Sequence, residues 1–470
     1  MLTRAITMTE TIDTLLTTTN KYLWNYLLLF LLLGTHLYLT FRLRVPQRYL
    51  FKAMRYYFPK KGEADGQISQ FSALMVSMAA NIGTGNIVGV AAAIAIGGPG
   101  AVFWCLVTGL LGIAGRYAES LLAIRYRVQD KNGNISGGPM YAIERGMHCK
   151  WLAVCFAVFT AIAAFGIGNI VQAHTISSTL TASGLNVPTW LIGAVLSALV
   201  AGVLLFGLNG ISRICTALVP AMALTYIVGC GLLLSVNAAY IGPALLRILD
   251  CAFSAQAAAG GFIGSTIMLA MRTGTCRSLF ATEAGLGSSP IVSAAVKTAN
   301  PVQQALVAST GPFWTILVCT LTGITLTTVT LAANGTIDAT KDATLTANVF
   351  GTLGLTGTCM LAISLSAFAI STLFGWSYFG EKSLEYLGGQ RLVTPYRALW
   401  SVAVFIGCII PKSTIAWNFS DIANGLMAIP NLICLVALSG IVAKETRYYL
   451  QDNNLDTIDN TPIPTIDEKN

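Results

Sequence analysis

The sequence predicts an all-α integral membrane protein of about eleven spanning helices, two sets of five preceded by one peripheral helix. Three observations predict it: a composition too poor in charge for water, eleven long apolar runs, and glycine-rich interruptions at matching places in two of those runs. Of the 470 residues, 54% are hydrophobic and 10% charged, and the mean hydropathy is +0.68. A soluble domain carries about 25% charged residues, so this chain cannot cover a water-facing surface but can cover a lipid-facing one. Its 45 glycines suit the close helix approaches of a bilayer.

A span needs about 20 mostly apolar residues. The runs fall at about 22–41, 69–96, 98–124, 151–182, 188–208, 212–236, 262–297, 301–330, 356–387, 393–411 and 414–443. The basic, aromatic segment 47–58 is expected to lie flat at the membrane surface, and 241–258 to do the same at the other face. Residues 1–21 lack the basic and apolar regions of a cleavable signal. The polar tail after about 450 is expected to be disordered.

The net charge of +8 does not point to nucleic acid, because the basic residues gather in short loops between apolar runs. With the loop after the first span facing the cytoplasm, twenty of the 28 Lys and Arg lie on that side and five on the other. Arg116, Arg272 and Arg277 lie within spans. The positive-inside bias then places the N-terminus outside and the C-terminus inside. The eleven cysteines form no CxxC pair and read as small buried hydrophobes; the three histidines lie far apart, so no metal centre or cofactor is expected.

The second span is interrupted by Asn81-Ile82-Gly83-Thr84-Gly85-Asn86, the seventh by Glu283-Ala284-Gly285-Leu286-Gly287-Ser288. Glycine costs about 1 kcal/mol in a helix interior. In lipid, unpaired backbone is tolerated only where it lines an enclosed cavity. Each interrupted span opens a set of five, and the two enter from opposite faces: the layout of an inverted repeat. The organisation reads as an extracytoplasmic segment 1–21, a peripheral helix and interfacial stretch 22–68, a first repeat 69–236, a connection 237–261, a second repeat 262–449 and a cytoplasmic tail 450–470. Half-helix N-termini offer free amides to a carboxylate, and unwound carbonyls suit a sodium ion. The amides of Thr84 and Gly85, with Asn86 beside them, are the expected carboxylate grip; Asn81, Gly83, Gly285 and Gly287 make the breaks.

On the fourth span, Phe165, Asn169 and Gln172 share one face by spacing, and the two amides are expected to face a central cavity and help hold a ligand. Glu283 is an intramembrane carboxylate, read either as a partner for a ligand ammonium or as a cap on the broken helix. Arg116 and Glu119, three apart, read as a structural or gating pair. Phe280 and Trp376 are expected to wall a small pocket. HExxH, GxSxG and phosphate-loop patterns are all absent, which argues against an enzyme.

The stretches NIGTGNIVGVAAAIAIGGPGAVFW (81–104), SGGPMYAIERG (136–146), GNIVQ (168–172), RSLFATEAGLGSSP (277–290) and STLFGWSYFGEK (371–382) resemble the alanine or glycine:cation symporter family of bacteria. The resemblance implies a leucine-transporter-like core and sodium-coupled uptake of small neutral amino acids across the bacterial cytoplasmic membrane, in contact with lipid. Matching the breaks to that fold implies a sodium site of the Ala79 and Ile82 carbonyls, a carbonyl near Phe368, and the Ser371 and Thr372 hydroxyls. Proton coupling through Glu283 or Glu119 is the alternative, and a channel a more distant one. Three departures from the family pattern, Cys105-Leu106, Ser278 and Thr282, bear on substrate range and ion choice. Substrate preference, stoichiometry and oligomeric state are left open by the sequence.

Overall fold

The computed structural model describes residues 14–58, 66–131, 133–182, 187–254, 266–410, 414–459 and 461–465. Each predicted run becomes a helix. The first, α1 (Thr14–Arg42), starts earlier than the sequence suggests. A 3-10 turn (Pro46–Tyr49) and a short α2 (Leu50–Met54) follow. The second span is α3 (Gln70–Asn81) and α4 (Val88–Gly97), whose axes differ by 66° when the intervening turn is counted with α4. Next come α5 (Gly100–Arg125), a small hairpin of β1 (Val128–Gln129) and β2 (Ile135–Ser136), and α6 (Pro139–Gly146). The fourth span is α7 (Lys150–Phe165) and α8 (Val171–Ala182), joined by a π-helical turn at Gly166–Ile170. The first repeat ends with α9 (Thr189–Leu204) and α10 (Gly207–Val236).

An amphipathic α11 (Ile241–Phe253) connects to α12 (Ile267–Thr282) and α13 (Pro290–Ser293), the two parts of the seventh span. Then follow α14 (Pro301–Ala332), α15 (Asp342–Gly351), α16 (Leu355–Gly388), α17 (Val393–Ile409), α18 (Thr414–Ala437) and α19 (Ser439–Thr446). Among the described residues, eight helices are long and apolar enough to cross a membrane and α3 with α4 makes a ninth. The fifth and seventh spans, α9 and α12, are shorter, at 16 residues each.

Sequence sets the helix ends. Ser69 caps α3 by accepting from the Ser72 amide at 3.0 Å, and Thr266 caps α12 from Leu269 at 3.2 Å. Asn300 caps α14 at 3.0 Å, with Pro301 in the first-turn position that needs no donor.

The packing repeats itself with the two halves exchanged. α5 packs on α14, α4 on α12, α7 on α16, and α9 on α17, so four spans of the first set lie against their counterparts. α10 packs on α16 while α18 packs on α7, again a pair of equivalent contacts. The broken spans run antiparallel and meet at one end, where Gln67 donates to Ala295 (2.8 Å) and Lys297 to Ile68 (2.9 Å). This is the architecture of an inverted repeat.

The tail departs from expectation. Asn300 Nδ2 donates to the carbonyls of Leu455 (2.7 Å) and Thr457 (2.9 Å), Asp459 N to Ala299 (2.7 Å), and Gln129 N to Pro464 (3.0 Å). The segment is polar because it crosses the basic face of the bundle, its backbone satisfied by amide side chains, and composition alone does not reveal that. Residues 1–13, residues 255–261 of the connection, and 466–470 lie outside the described residues.

A candidate substrate and ion site

Both breaks form where local conformation leaves the helix. α3 stops because Ile82 turns extended (φ −83°, ψ 90°), after which Thr84–Asn86 make one 3-10 turn. The Asn86 and Ile87 amides close that turn on Gly83 and Thr84. The Thr84 and Gly85 amides stand at its head with no backbone carbonyl to meet. α12 stops because Glu283 adopts the left-handed conformation (φ 49°), followed by Gly285 (φ 86°) and Gly287 (φ 88°), positions that favour glycine.

The breaks are laced together. Asn81 Nδ2 donates to the Thr282 carbonyl (3.2 Å) and Asn81 Oδ1 accepts from Ser289 (2.9 Å). Arg116 and Glu119 are buried in α5, not on its surface, and their Nε–Oε2 separation is 3.8 Å. Each holds the second break: Arg116 donates to the Thr282 carbonyl (2.9 Å), and Glu119 Oε1 accepts from Gly287 N (3.0 Å) and Asn431 Nδ2 (2.7 Å). Glu283 accepts from Ser288 Oγ at 2.7 Å, within its own break, and lies within reach of Trp376. That contact comes from a side-chain hydroxyl of its own break rather than from a backbone N–H.

A cavity of about 820 Å³ reaches the first break from the end of the bundle opposite the tail. Thr84, Gly85 and Phe280 line it, and a Cβ placed on Gly85 would lie 3.7 Å from the Phe280 ring. The other expected contacts do not line this cavity. Asn86 is fully buried and neither atom of its amide has a partner; the Thr84 hydroxyl also lacks one. Asn169 donates to the Trp400 carbonyl (2.9 Å) and Gln172 to Ile167 (3.0 Å), leaving Asn169 Oδ1 and Gln172 Oε1 unpartnered. The π turn between Phe165 and Gln172 rotates them away from simple 3.6 spacing. Phe165 packs on Tyr396 and Trp400. Trp376, 1% exposed, sits against the π turn, with its Cβ where a Gly168 side chain would be.

The proposed ion ligands also converge. Ser371 Oγ lies 3.3 Å from the Ala79 oxygen and 2.8 Å from that of Phe368; Thr372 Oγ1 lies 3.1 and 2.9 Å from the same two. Both hydroxyls thus reach a carbonyl of their own helix and one of α3. Two hydroxyls carry two protons, so four oxygen–oxygen contacts cannot all be hydrogen bonds. The remaining contacts set oxygen lone pairs against one another. Thr372 Oγ1 also stands 3.1 Å from where a Gly83 Cβ would be, and Ile82, with its extended backbone, begins the same break. No carboxylate belongs to this set. That suits a monovalent ion, since hard divalent ions recruit carboxylates.

Sequence reasoning overlooked several residues. Asn431, just after Pro430 inside α18, bridges Glu119 and the Gly285 carbonyl (2.9 Å). Asp421 lines the cavity mouth, accepting from Asn20 (3.3 Å), and as an acid within a span it carried a signal. The first helix is less peripheral than expected: Trp24 donates to the Asp421 carbonyl (2.9 Å) and stacks edge-on to Phe280, and His36 packs against Gly115 and Gly285.

An inverted repeat of broken helices around a polar midpoint, with a one-sided cavity, defines a secondary membrane carrier. The chain belongs to the sodium:alanine symporter family, whose model matches residues 9–461. It is 44% identical to the sodium/alanine symporter AgcS of Methanococcus maripaludis, over 93% of this chain and 96% of that one. It is 34% identical to the probable sodium/glutamine symporter GlnT of Bacillus subtilis, over 92% and 89%. In fold it resembles MhsT, solved with L-phenylalanine, with a TM-score of 0.57 at 13% identity, over 82% of this chain and 99% of that one. The chain is a multi-pass membrane transporter with a leucine-transporter-like fold, and not an enzyme.

Proposed function

We propose that the protein carries a small neutral amino acid, alanine or glycine, into the cell together with sodium by alternating access. The observation that carries this reading is the juxtaposition at the first break: the free amides of Thr84 and Gly85 open on the cavity, while Ala79, a few residues earlier, shares its carbonyl with Ser371 and Thr372. The amides take the carboxylate, and Phe280 limits the side chain. The ion binds the Ala79, Ile82 and Phe368 carbonyls with the two hydroxyls. The unpartnered amide of Asn86, in the turn itself, supports a polar ligand here, because a buried unmet donor or acceptor costs about 1–3 kcal/mol.

With the basic loops in the cytoplasm of a bacterial cell, the cavity opens outward. At the inner end, the strand-like pairing of Gln67 and Ile68 with 295–297 holds the two broken spans together. A cavity reaching the site from one end fits a carrier rather than a channel. Sodium is favoured over protons because Glu283 and Glu119 are both engaged in holding the second break. The test is uptake of labelled alanine and glycine into proteoliposomes under an imposed sodium gradient. Equal uptake in potassium with a pH gradient as the sole driving force overturns the proposal.

A further inference from the structure

The first helix ends at Arg42, and the chain leaves it through Arg44 and Val45, both with left-handed backbone (φ 55° and 57°). Beside it, α19 runs out through Lys444 into a π-helical turn at Arg447–Gln451. Between the two lies a second cavity, of about 410 Å³, at the end of the bundle that carries the basic loops. Four cations line it: Arg42, Arg44, Lys444 and Arg447, and no acidic residue does. Among the described residues none of the four forms an ion pair within 4.0 Å; Arg44 donates to the neutral Gln451 amide at 3.0 Å. The adjacent acid, Glu445, pairs instead with Arg125 at 3.6 Å. Four like charges around one cleft repel each other unless an anion sits between them.

The cleft also has a lipid side. Tyr38 and Ser439 tie the two helices together at 3.0 Å, whereas a Cβ on Gly440 would meet nothing within 4 Å. Phe41, in the cavity wall, is 74% exposed. A ligand that suits both features has a phosphate for the cations and an apolar body for the groove. Basic pockets between membrane helices on the cytoplasmic side hold anionic headgroups. The volume, equal to roughly fourteen liquid waters, has room for a phosphoglycerol group as well as a bare ion. We infer that this cleft seats the phosphate headgroup of one anionic glycerophospholipid, with its chains along the outer faces of α1 and α19.

The test uses the full-length protein in neutral detergent. Native mass spectrometry is run after addition of phosphatidylglycerol or phosphatidylcholine, with inorganic phosphate as a competitor. The expected result is retention of phosphatidylglycerol over phosphatidylcholine, little affected by inorganic phosphate. Each of Arg42→Gln, Arg44→Gln, Lys444→Gln and Arg447→Gln should weaken retention roughly fivefold. A control variant with Arg48, Lys52, Arg55 and Arg391 changed to Gln loses as much charge and should retain the lipid. The quadruple variant carrying all four should lose retention; if it does not fold, the pair Arg42→Gln with Lys444→Gln serves. Equal loss in the control, unchanged retention in the cleft variants, or displacement by inorganic phosphate each overturns the inference, the last by making the site one for the free ion.

Discussion

The Thr372 hydroxyl oxygen stands 3.1 Å from the carbonyl oxygen of Ala79 and so joins the ninth span to the last regular turn before the first break. Ser371 makes the parallel contact at 3.3 Å. These two side chains are the only ones in the proposed ion set; the other three ligands are main-chain carbonyls, which substitution leaves in place. Ser371→Ala with Thr372→Val is therefore expected to raise the sodium concentration for half-maximal uptake about five- to tenfold, the equivalent of losing about 1–1.4 kcal/mol. Alanine affinity at saturating sodium should change less. Sodium titration of uptake at fixed membrane potential reads this, and an unaltered midpoint with normal expression moves the ion elsewhere.

Gly85 lines the cavity with room on its open side, and the Phe280 ring lies 3.7 Å from where its Cβ would be. Gly85→Leu should abolish alanine binding without unfolding the protein, because the new side chain fills space that the carboxylate requires. Scintillation-proximity binding together with a melting curve separates the two effects. Near-normal affinity in a folded variant would show that the carboxylate does not sit on these amides.

Glu119 and Arg116 hold the second break through one buried network. Removing one partner of a buried ion pair costs about 3–5 kcal/mol, whereas replacing both with apolar residues can be nearly neutral. Glu119→Ala should therefore lower the melting temperature in detergent sharply. Arg116→Met combined with Glu119→Leu should recover part of the loss. Additive losses in the double variant would mean that the two residues act separately.

Much of this arrangement was legible because lipid enforces simple rules. Eleven apolar runs and two glycine interruptions predict eleven helices and two breaks, since backbone in hydrocarbon has few other choices. The pairing of Ser371 and Thr372 with Ala79 was reachable only through the family resemblance, because no spacing rule connects residues 79 and 372. The face shared by Phe165, Asn169 and Gln172 was misjudged in detail: a π turn is invisible to a 3.6 period, and it sends Asn169 to Trp400 and Gln172 to its own helix. Asn431 was overlooked since one Asn in an apolar run looks like any interhelical contact. The docked tail was misread for a related reason: its partners, Asn300 and Gln303, lie far away in sequence.

The last prediction concerns Trp376. Its ring meets Phe379 edge-on at 5.7 Å, its Cβ fills the place of a Gly168 side chain, and it lies within reach of Glu283. It thus stands between the π turn of the fourth span and the second break, and it is Phe280, not Trp376, that lines the cavity. Two effects of Trp376→Ala compete. Loss of a buried Trp side chain costs about 3–5 kcal/mol through the void it leaves. If the proposed substrate points its side chain toward Trp376, the same void can accept a larger one. Exclusion of large side chains must be steric, because a missing methylene changes affinity by only about 1–3 kcal/mol. We therefore expect Trp376→Ala to be less stable and to bind leucine or methionine, with alanine affinity reduced. Phe280→Ala, at the wall itself, should broaden selection with a smaller loss of stability, since Phe280 is only half-buried. Competition of labelled alanine uptake by the larger amino acids, measured beside the melting temperature, reads both. A competition profile unchanged in Trp376→Ala and broadened in Phe280→Ala would assign size selection to Phe280 and leave Trp376 as packing.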